Sequence, residues 1–138
     1  MNYMVVLRGI KNGIYVSIEL AKAIIPVYLL IKLMEKIGVM QILGEWCAPF
    51  MKLLGLPGEA SLLLVIGNCL NIYSVLGGIH AMDLTIKQIN IIAIVLLISH
   101  SLFVENAVLK KAGVNAISLT FFRLGFSIIC GIALNIVW

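Results

Sequence analysis

Three long stretches of the chain carry almost no charged side chain. They are residues 60–82, 88–104 and 117–138, and the last of them contains a single charge, Arg123. A helix needs about 20 apolar residues to cross the roughly 30 Å hydrocarbon core of a bilayer. The pattern therefore predicts three membrane-spanning helices. In the third helix, Arg123 lies close enough to the start to extend its charged group toward the membrane interface.

The N-terminal part is apolar but carries several charges. Glu19 and Lys22 are three residues apart, so they lie on one helical face and are expected to pair. Pro26 is expected to kink a continuous helix. The pattern predicts a helix over residues 13–37 that either spans the membrane or lies at its interface, and it favours spanning.

The next segment, residues 41–54, is too short to cross a bilayer and contains Glu45, Trp46, Pro49 and Lys52. The turn-prone sequence Gly-Leu-Pro-Gly follows it directly. Two interpretations remain equally open for residues 41–59: a re-entrant half-helix with its turn, or an ordinary interfacial helix and loop outside the membrane.

Polar residues interrupt the stretch over residues 60–82. Asn68, Asn71 and Ser74 recur at intervals of three, and Gly67 precedes them. Such residues serve as packing contacts between membrane helices, or they mark a broken helix whose freed backbone groups line a polar cavity. The side-chain amides of Asn68 and Asn71 would lie at a similar depth in the membrane, and this favours the broken helix.

Composition supports the membrane interpretation. Hydrophobic residues make up 62% of the chain and charged residues 12%, against about 45–50% and about 25% in soluble domains. The predicted fold class is an all-α integral membrane bundle of about four spanning segments, with a re-entrant helical hairpin and a broken helix, in one domain over residues 1–138. The remaining predicted helices cover residues 88–108 and 116–138.

The net charge of +4 comes from scattered lysines and arginines, of which no more than two are consecutive. This excludes a nucleic-acid surface and indicates contact with lipid headgroups and control of topology. On the predicted spans, three basic residues lie on one side and five on the other: Arg8, Lys11 and Lys87 against Lys32, Lys36, Lys52, Lys110 and Lys111. So weak a bias permits insertion in both orientations, and hence an antiparallel pair.

Candidate chemistry is confined to polar residues near the membrane segments. No motif of a hydrolase, metalloprotease or nucleotide-binding enzyme occurs, and three widely spaced cysteines indicate neither a metal nor a disulfide. We therefore expect no enzymatic activity, no metal and no cofactor.

A second group of polar residues lies at the end of the run over residues 88–104, between residues 99 and 106. On a continuous helix, Ser101 would share a face with Glu105, whereas His100 would lie about 140° from Glu105. Ionisable groups within a membrane segment usually face a cavity or a partner. The alternative is an ordinary interfacial Glu105 beside Lys110.

Several blocks resemble the nucleoside-recognition, or gate, domain family of bacterial membrane proteins. That family includes spore maturation proteins A and B and is related to gate regions of concentrative nucleoside and B-type ferrous-iron transporters. The resemblance extends over about residues 15–138 and depends on these segments: Leu54 to Ala60, Gly67, Asn71 to Tyr73, Leu84-Thr85, Lys87-Gln88, Ser99 to Leu102, Val104-Glu105 and Lys110 to Gly113.

The resemblance implies a transporter-like unit with broken helices around a central polar site. Together with the adjoining polar positions, it yields these candidate substrate-binding residues: Asn68, Asn71, Tyr73, Ser74, His100, Ser101, Glu105 and Asn106. We expect a transport protein or transporter half for a small polar solute, with a nucleoside or nucleobase as the implied class.

The expected unit is an antiparallel homodimer, or a pair with a related second subunit, in the bacterial inner membrane. Its site would form at the dimer interface, because inverted-repeat transporters bind between two halves. The alternative function is a non-transporting scaffold or assembly subunit of a larger complex.

Overall fold

The computed structural model describes residues 3–113 and 115–138, and its regular elements in that part of the chain are all helical. The predicted all-α class is confirmed. The α-helices are α1 (Tyr3–Ile37), α2 (Val39–Leu53), α3 (Ser61–Cys69), α4 (Ile72–Ala81), α5 (Ile86–Ser99), α6 (Leu102–Lys111) and α7 (Ala116–Val137), with a 3-10 turn at Gly58–Ala60 before α3.

Three segments of the described chain are long and apolar enough to cross a membrane: α1, the stretch Ile86–Lys111 that joins α5 and α6, and α7. A fourth is the pair formed by α2 and Gly58–Cys69, which bends by 90° between its two parts and is therefore a broken span or a re-entrant loop. The predicted count of about four is confirmed. The sequence assigned one span to residues 60–82, but in the structure α3 and α4 are separate short helices. Of these two, α3 belongs to the bent pair with α2.

The first helix is longer than the sequence predicts, because α1 begins at Tyr3 instead of near residue 13. Its 35 residues extend about 52 Å, well beyond the thickness of a bilayer core. Pro26 lies inside the continuous helix. The helix ends where Gly38 adopts a φ of 84°, a left-handed conformation that glycine accommodates without strain.

The expected pairing of Glu19 with Lys22 along α1 is wrong. Glu19 instead accepts a hydrogen bond from the Tyr15 hydroxyl at 3.1 Å, and neither Glu19 nor Lys22 belongs to an ion pair within the described residues. Glu19 and Lys22 are both exposed on the bundle surface. Both charges are therefore available to groups outside the described chain.

The core lies between the C-terminal half of α1 and helices α2 to α5. Its fully buried members are large aliphatic side chains: Ile31, Met51, Leu54, Leu63, Val75, Ile91, Ile92 and Leu96. The opposite faces of α1 and α7 expose many apolar side chains, as expected of surfaces in contact with lipid. This arrangement leaves α3, α5, α6 and α7 meeting at one side of the bundle, where the polar residues gather.

Candidate functional site

Two helix breaks touch each other in this bundle. The first break comprises Leu70 and Asn71, between α3 and α4, and the second comprises His100 and Ser101, between α5 and α6. Ser101 adopts a φ of 54° and its backbone N–H donates to the carbonyl oxygen of Gly67 at 3.2 Å. The two non-helical segments are therefore held directly against each other.

The first break confirms the predicted broken helix, whereas the continuous helix predicted over residues 88–108 is wrong. An uninterrupted helix would direct the Ser101 N–H to the carbonyl four residues earlier. It is directed instead to α3, and the carbonyl oxygen of Ile98 accepts from Arg123 Nε at 3.0 Å. Hydrogen bonds to α3 and α7 thus replace helical ones and open the second break.

Asn71 has a structural role at the start of α4. Its side-chain oxygen accepts from the Ser74 backbone N–H at 2.9 Å and from the Ser74 hydroxyl at 3.1 Å. This is an N-terminal helix cap, which satisfies a backbone donor that the helix itself cannot satisfy. Ser74 is only 3% exposed, so its hydroxyl is engaged in the cap and closed to a solute.

We expect Asn71→Ala to destabilise the protein by about 1 kcal/mol, because the cap and the Ser74 hydroxyl both lose their acceptor. The measurement is the free energy of unfolding in mixed detergent micelles. Asn71→Ser retains a capping oxygen and should recover most of the loss. Equal losses for both substitutions would contradict the assigned cap.

Asn68, in the last turn of α3, differs from Asn71 in the first break, although both are amides. Its nitrogen Nδ2 donates to the Leu64 carbonyl oxygen at 2.7 Å. Its oxygen Oδ1 is buried and has no hydrogen-bond partner within the described residues. An unsatisfied buried acceptor is costly, about 1–3 kcal/mol. Asn68 therefore offers an acceptor that no described group of the chain uses.

A cleft of about 400 Å³, here called the α3–α7 cleft, adjoins Asn68. Its polar side chains from α6 and α7 are Asn106 and Thr120, and the Thr120 hydroxyl donates to Asn106 Oδ1 at 2.7 Å. Apolar side chains form most of the remaining wall: Leu64, Val65, Leu102 and Leu124, with Cys69 beside them. The cleft thus places amides and a hydroxyl between apolar walls.

Asn71 and Tyr73 line a different cavity of about 320 Å³ on the other side of the first break, which we call the α1–α4 groove. Glu19 of α1 lines it as well, and Tyr73 is 50% exposed. The structure therefore divides the candidate residues. Asn68 and Asn106 share the α3–α7 cleft, whereas Asn71 and Tyr73 face Glu19.

His100 and Ser101 form the second break, and neither lines the cleft or the groove. His100 Nδ1 lies 3.2 Å from the Leu96 carbonyl oxygen of its own helix. The Ser101 hydroxyl lies 3.5 Å from the carbonyl oxygen of Leu70 across the two breaks. Both residues therefore hold the break geometry, and the structure does not bring them to the cleft.

Glu105 forms an ion pair with Arg123 of α7. Both side chains are about two-thirds buried, and the same guanidinium bonds Ile98. The Glu105 carboxylate is therefore paired with Arg123 of α7 and not with Lys110, and the Arg123 side chain is held against Glu105 and the Ile98 carbonyl oxygen. Sequence reasoning missed this pair, although Glu105 directly follows the uncharged run over residues 88–104 and Arg123 is the single charge in residues 117–138.

The described residues gather no group of three or more His, Cys, Asp or Glu side chains suited to a metal ion. Their organised polar features are the two touching breaks, the cleft and the Glu105–Arg123 pair. These features, with three to four helices apolar enough to span a bilayer, define an integral membrane protein with broken helices around a polar centre.

Comparison with known proteins specifies the family. Residues 17–136 match the family model called Gate, described as nucleoside recognition, and the chain belongs to that family. It is 36% identical over 132 residues to the uncharacterized membrane protein YvoD of Bacillus subtilis (strain 168). The aligned part covers 96% of this chain and 42% of YvoD, so the chain spans less than half of that relative. No solved structure matches the chain.

Proposed function

We propose that this protein is one half of a bacterial plasma-membrane transporter and that it binds a small polar solute in the α3–α7 cleft. The observation that carries the proposal is the buried Oδ1 of Asn68, which has no partner among the described residues and lies beside the two touching breaks. Broken membrane helices commonly present freed backbone groups and side chains to a transported solute. The family description favours a nucleoside or nucleobase as the first class to test.

The chemistry of the cleft favours a neutral solute with at least one N–H or O–H donor. Such a donor would satisfy Asn68 Oδ1 once the cleft widens, and Asn106 and Thr120 offer further hydrogen-bonding groups nearby. No charged side chain is among the described residues that line the cleft. Leucine and valine side chains would contact the less polar faces of the solute, as in most small-molecule sites.

In this function the chain is one half of the transporting unit. YvoD is more than twice as long as the region it shares with this chain, and inverted-repeat transporters place the solute between two related halves. The second half would be another copy in the opposite orientation or a related subunit. The small difference in basic residues between the two predicted sides permits both orientations.

We expect Asn68→Ala to lower solute affinity at least about tenfold, which corresponds to about 1.4 kcal/mol, because the solute loses its acceptor. The measurement is equilibrium dialysis of the purified protein against labelled nucleosides and nucleobases. Asn12→Ala makes the same chemical change on the exposed part of α1 and should leave affinity unchanged. Equal affinities of the wild type and Asn68→Ala would contradict the assigned site.

A scaffold function has its own supporting observations. The Thr120–Asn106 bond and the Asn71 cap are the kind of polar contact that holds membrane helices together. If the polar residues serve assembly alone, Asn68→Ala and Asn106→Ala will reduce complex formation and the wild type will bind no solute. If the cleft is a solute site, Asn68→Ala will leave assembly intact and lose binding.

A further inference from the structure

A stripe of charged and polar side chains follows one side of α1, and within the described residues it forms no hydrogen bond or ion pair with another helix. Because successive residues rotate by about 100°, the stripe lies on the far side of the helix from Val27 and Ile31, which are buried in the core. All its members are exposed, and we call it the outer face of α1: Arg8, Lys11, Tyr15, Glu19 and Lys22.

Two of these charged residues, Glu19 and Lys22, lie near the middle of α1. Glu19 lines the α1–α4 groove together with Asn71, so it is level with the first helix break and not with a helix end. Lys22 follows one turn later, and the middle of α1 falls at Leu20. Ionisable groups at this depth in hydrocarbon are costly unless they meet an opposite charge or water. Within the described residues, neither has an ion-pair partner.

We infer that the outer face of α1 binds the same face of a second copy of this chain, with the two helices antiparallel. A two-fold axis between Leu20 and Ala21 sets Glu19 of each copy opposite the partner's Lys22. A parallel pair would instead set Glu19 against the partner's Glu19, which is repulsive. Charge complementarity therefore selects the antiparallel second copy as the occupant of this face.

The same register matches the full length of the helix. Tyr3–Ile37 is centred on Leu20, so an axis beside Leu20 lets the two helices overlap from end to end. Arg8 and Lys11 of the two copies then lie toward opposite ends of the pair, where basic side chains reach lipid headgroups. No like charges are brought together at the centre.

The pair would also complete the α1–α4 groove. Glu19 already lines that groove with Asn71 and Tyr73, and the antiparallel register brings the partner's Lys22 to its edge. The groove would then contain side chains from both copies. This inference rests on the proposed function in one respect, since it identifies the second half of the transporter as another copy of the same chain.

Cysteine cross-linking between differently tagged copies tests the register. In a background without the three native cysteines, Asn12→Cys in one copy should cross-link efficiently to Leu29→Cys in the other, because the register sets these two exposed positions side by side. Two copies that both carry Asn12→Cys should not cross-link, since their cysteines would be about 25 Å apart along the helices. Cross-linking of Asn12→Cys with itself, or no cross-linking at all, would overturn the inference.

Charge reversal tests the ion pairs. Glu19→Lys or Lys22→Glu alone should weaken dimerisation in detergent about tenfold or more, because each sets like charges together, and the double variant should restore it. Lys11→Gln changes a charge on the same face but lies opposite an apolar position, so it should change dimerisation little. A double variant as weak as the single ones would contradict the pairing.

Neither experiment requires a solute. A dimer that cross-links as expected but binds no small polar solute would overturn the proposed function alone. Solute binding without the expected cross-link would overturn the α1 pairing alone.

Discussion

Gly77→Ala is expected to destabilise the protein by about 3 kcal/mol, at the upper end of the range for overpacking. A Cβ atom at Gly77 would overlap the carbonyl oxygen of Ile24 and lie 3.2 Å from the backbone nitrogen of Tyr28. Both are backbone atoms of α1, so no side chain can rotate away. The overlap can be removed only if α1 and α4 move apart, and the contact between these two helices encloses one side of the core.

Gly125→Ala is the matched control, because Gly125 is also a helical glycine and a Cβ there has no neighbour within 4 Å. Replacing glycine by alanine in an open helix position should stabilise by about 0.5–1 kcal/mol. The two substitutions should therefore change the unfolding free energy in detergent micelles in opposite directions. Similar stabilities for both variants would contradict the close packing of α1 on α4.

Arg123→Leu is expected to cost about 3 kcal/mol, close to the loss on removing one partner of a buried ion pair. It leaves Glu105 without its partner inside a membrane segment and removes the donor to the Ile98 carbonyl oxygen. Combining it with Glu105→Leu should recover much of the loss, because no unpaired carboxylate remains. Unfolding of the single and double variants in mixed micelles measures the coupling.

The exposed pair of Lys32 and Glu35 provides a comparison, since both side chains are about half exposed. Lys32→Leu should change stability little, as is usual for surface pairs. An Arg123→Leu variant as stable as Lys32→Leu would show that α7 does not hold the second break through this guanidinium.

The sequence predicted the fold class and the span count well, because both depend on long uncharged runs that only lipid or a helical core can accommodate. The first break was also predictable, since Asn68, Asn71 and Ser74 interrupt such a run visibly. The second break was not. Residues 88–104 contain neither glycine nor proline, and the helix opens there because Gly67 and Arg123 supply competing hydrogen bonds.

Individual roles within the candidate site were harder to predict. Asn68 and Asn71 are the same residue type three positions apart, but Asn71 lies on the side of the break where α4 begins and becomes its cap. Asn68 lies in the last turn of α3, and its side-chain oxygen has no partner in the part of the chain that the structure describes. That difference depends on where each helix ends, to within one or two residues, and residue type alone does not specify it.

Solute uptake by liposomes that contain the purified protein is the most direct measurement of the central claim. We predict saturable uptake of at least one labelled nucleoside or nucleobase, tested with and without ion gradients, and its loss in Asn68→Ala but not in Asn12→Ala. No uptake or binding of any solute by folded wild-type protein, under all gradients tested, would contradict the account.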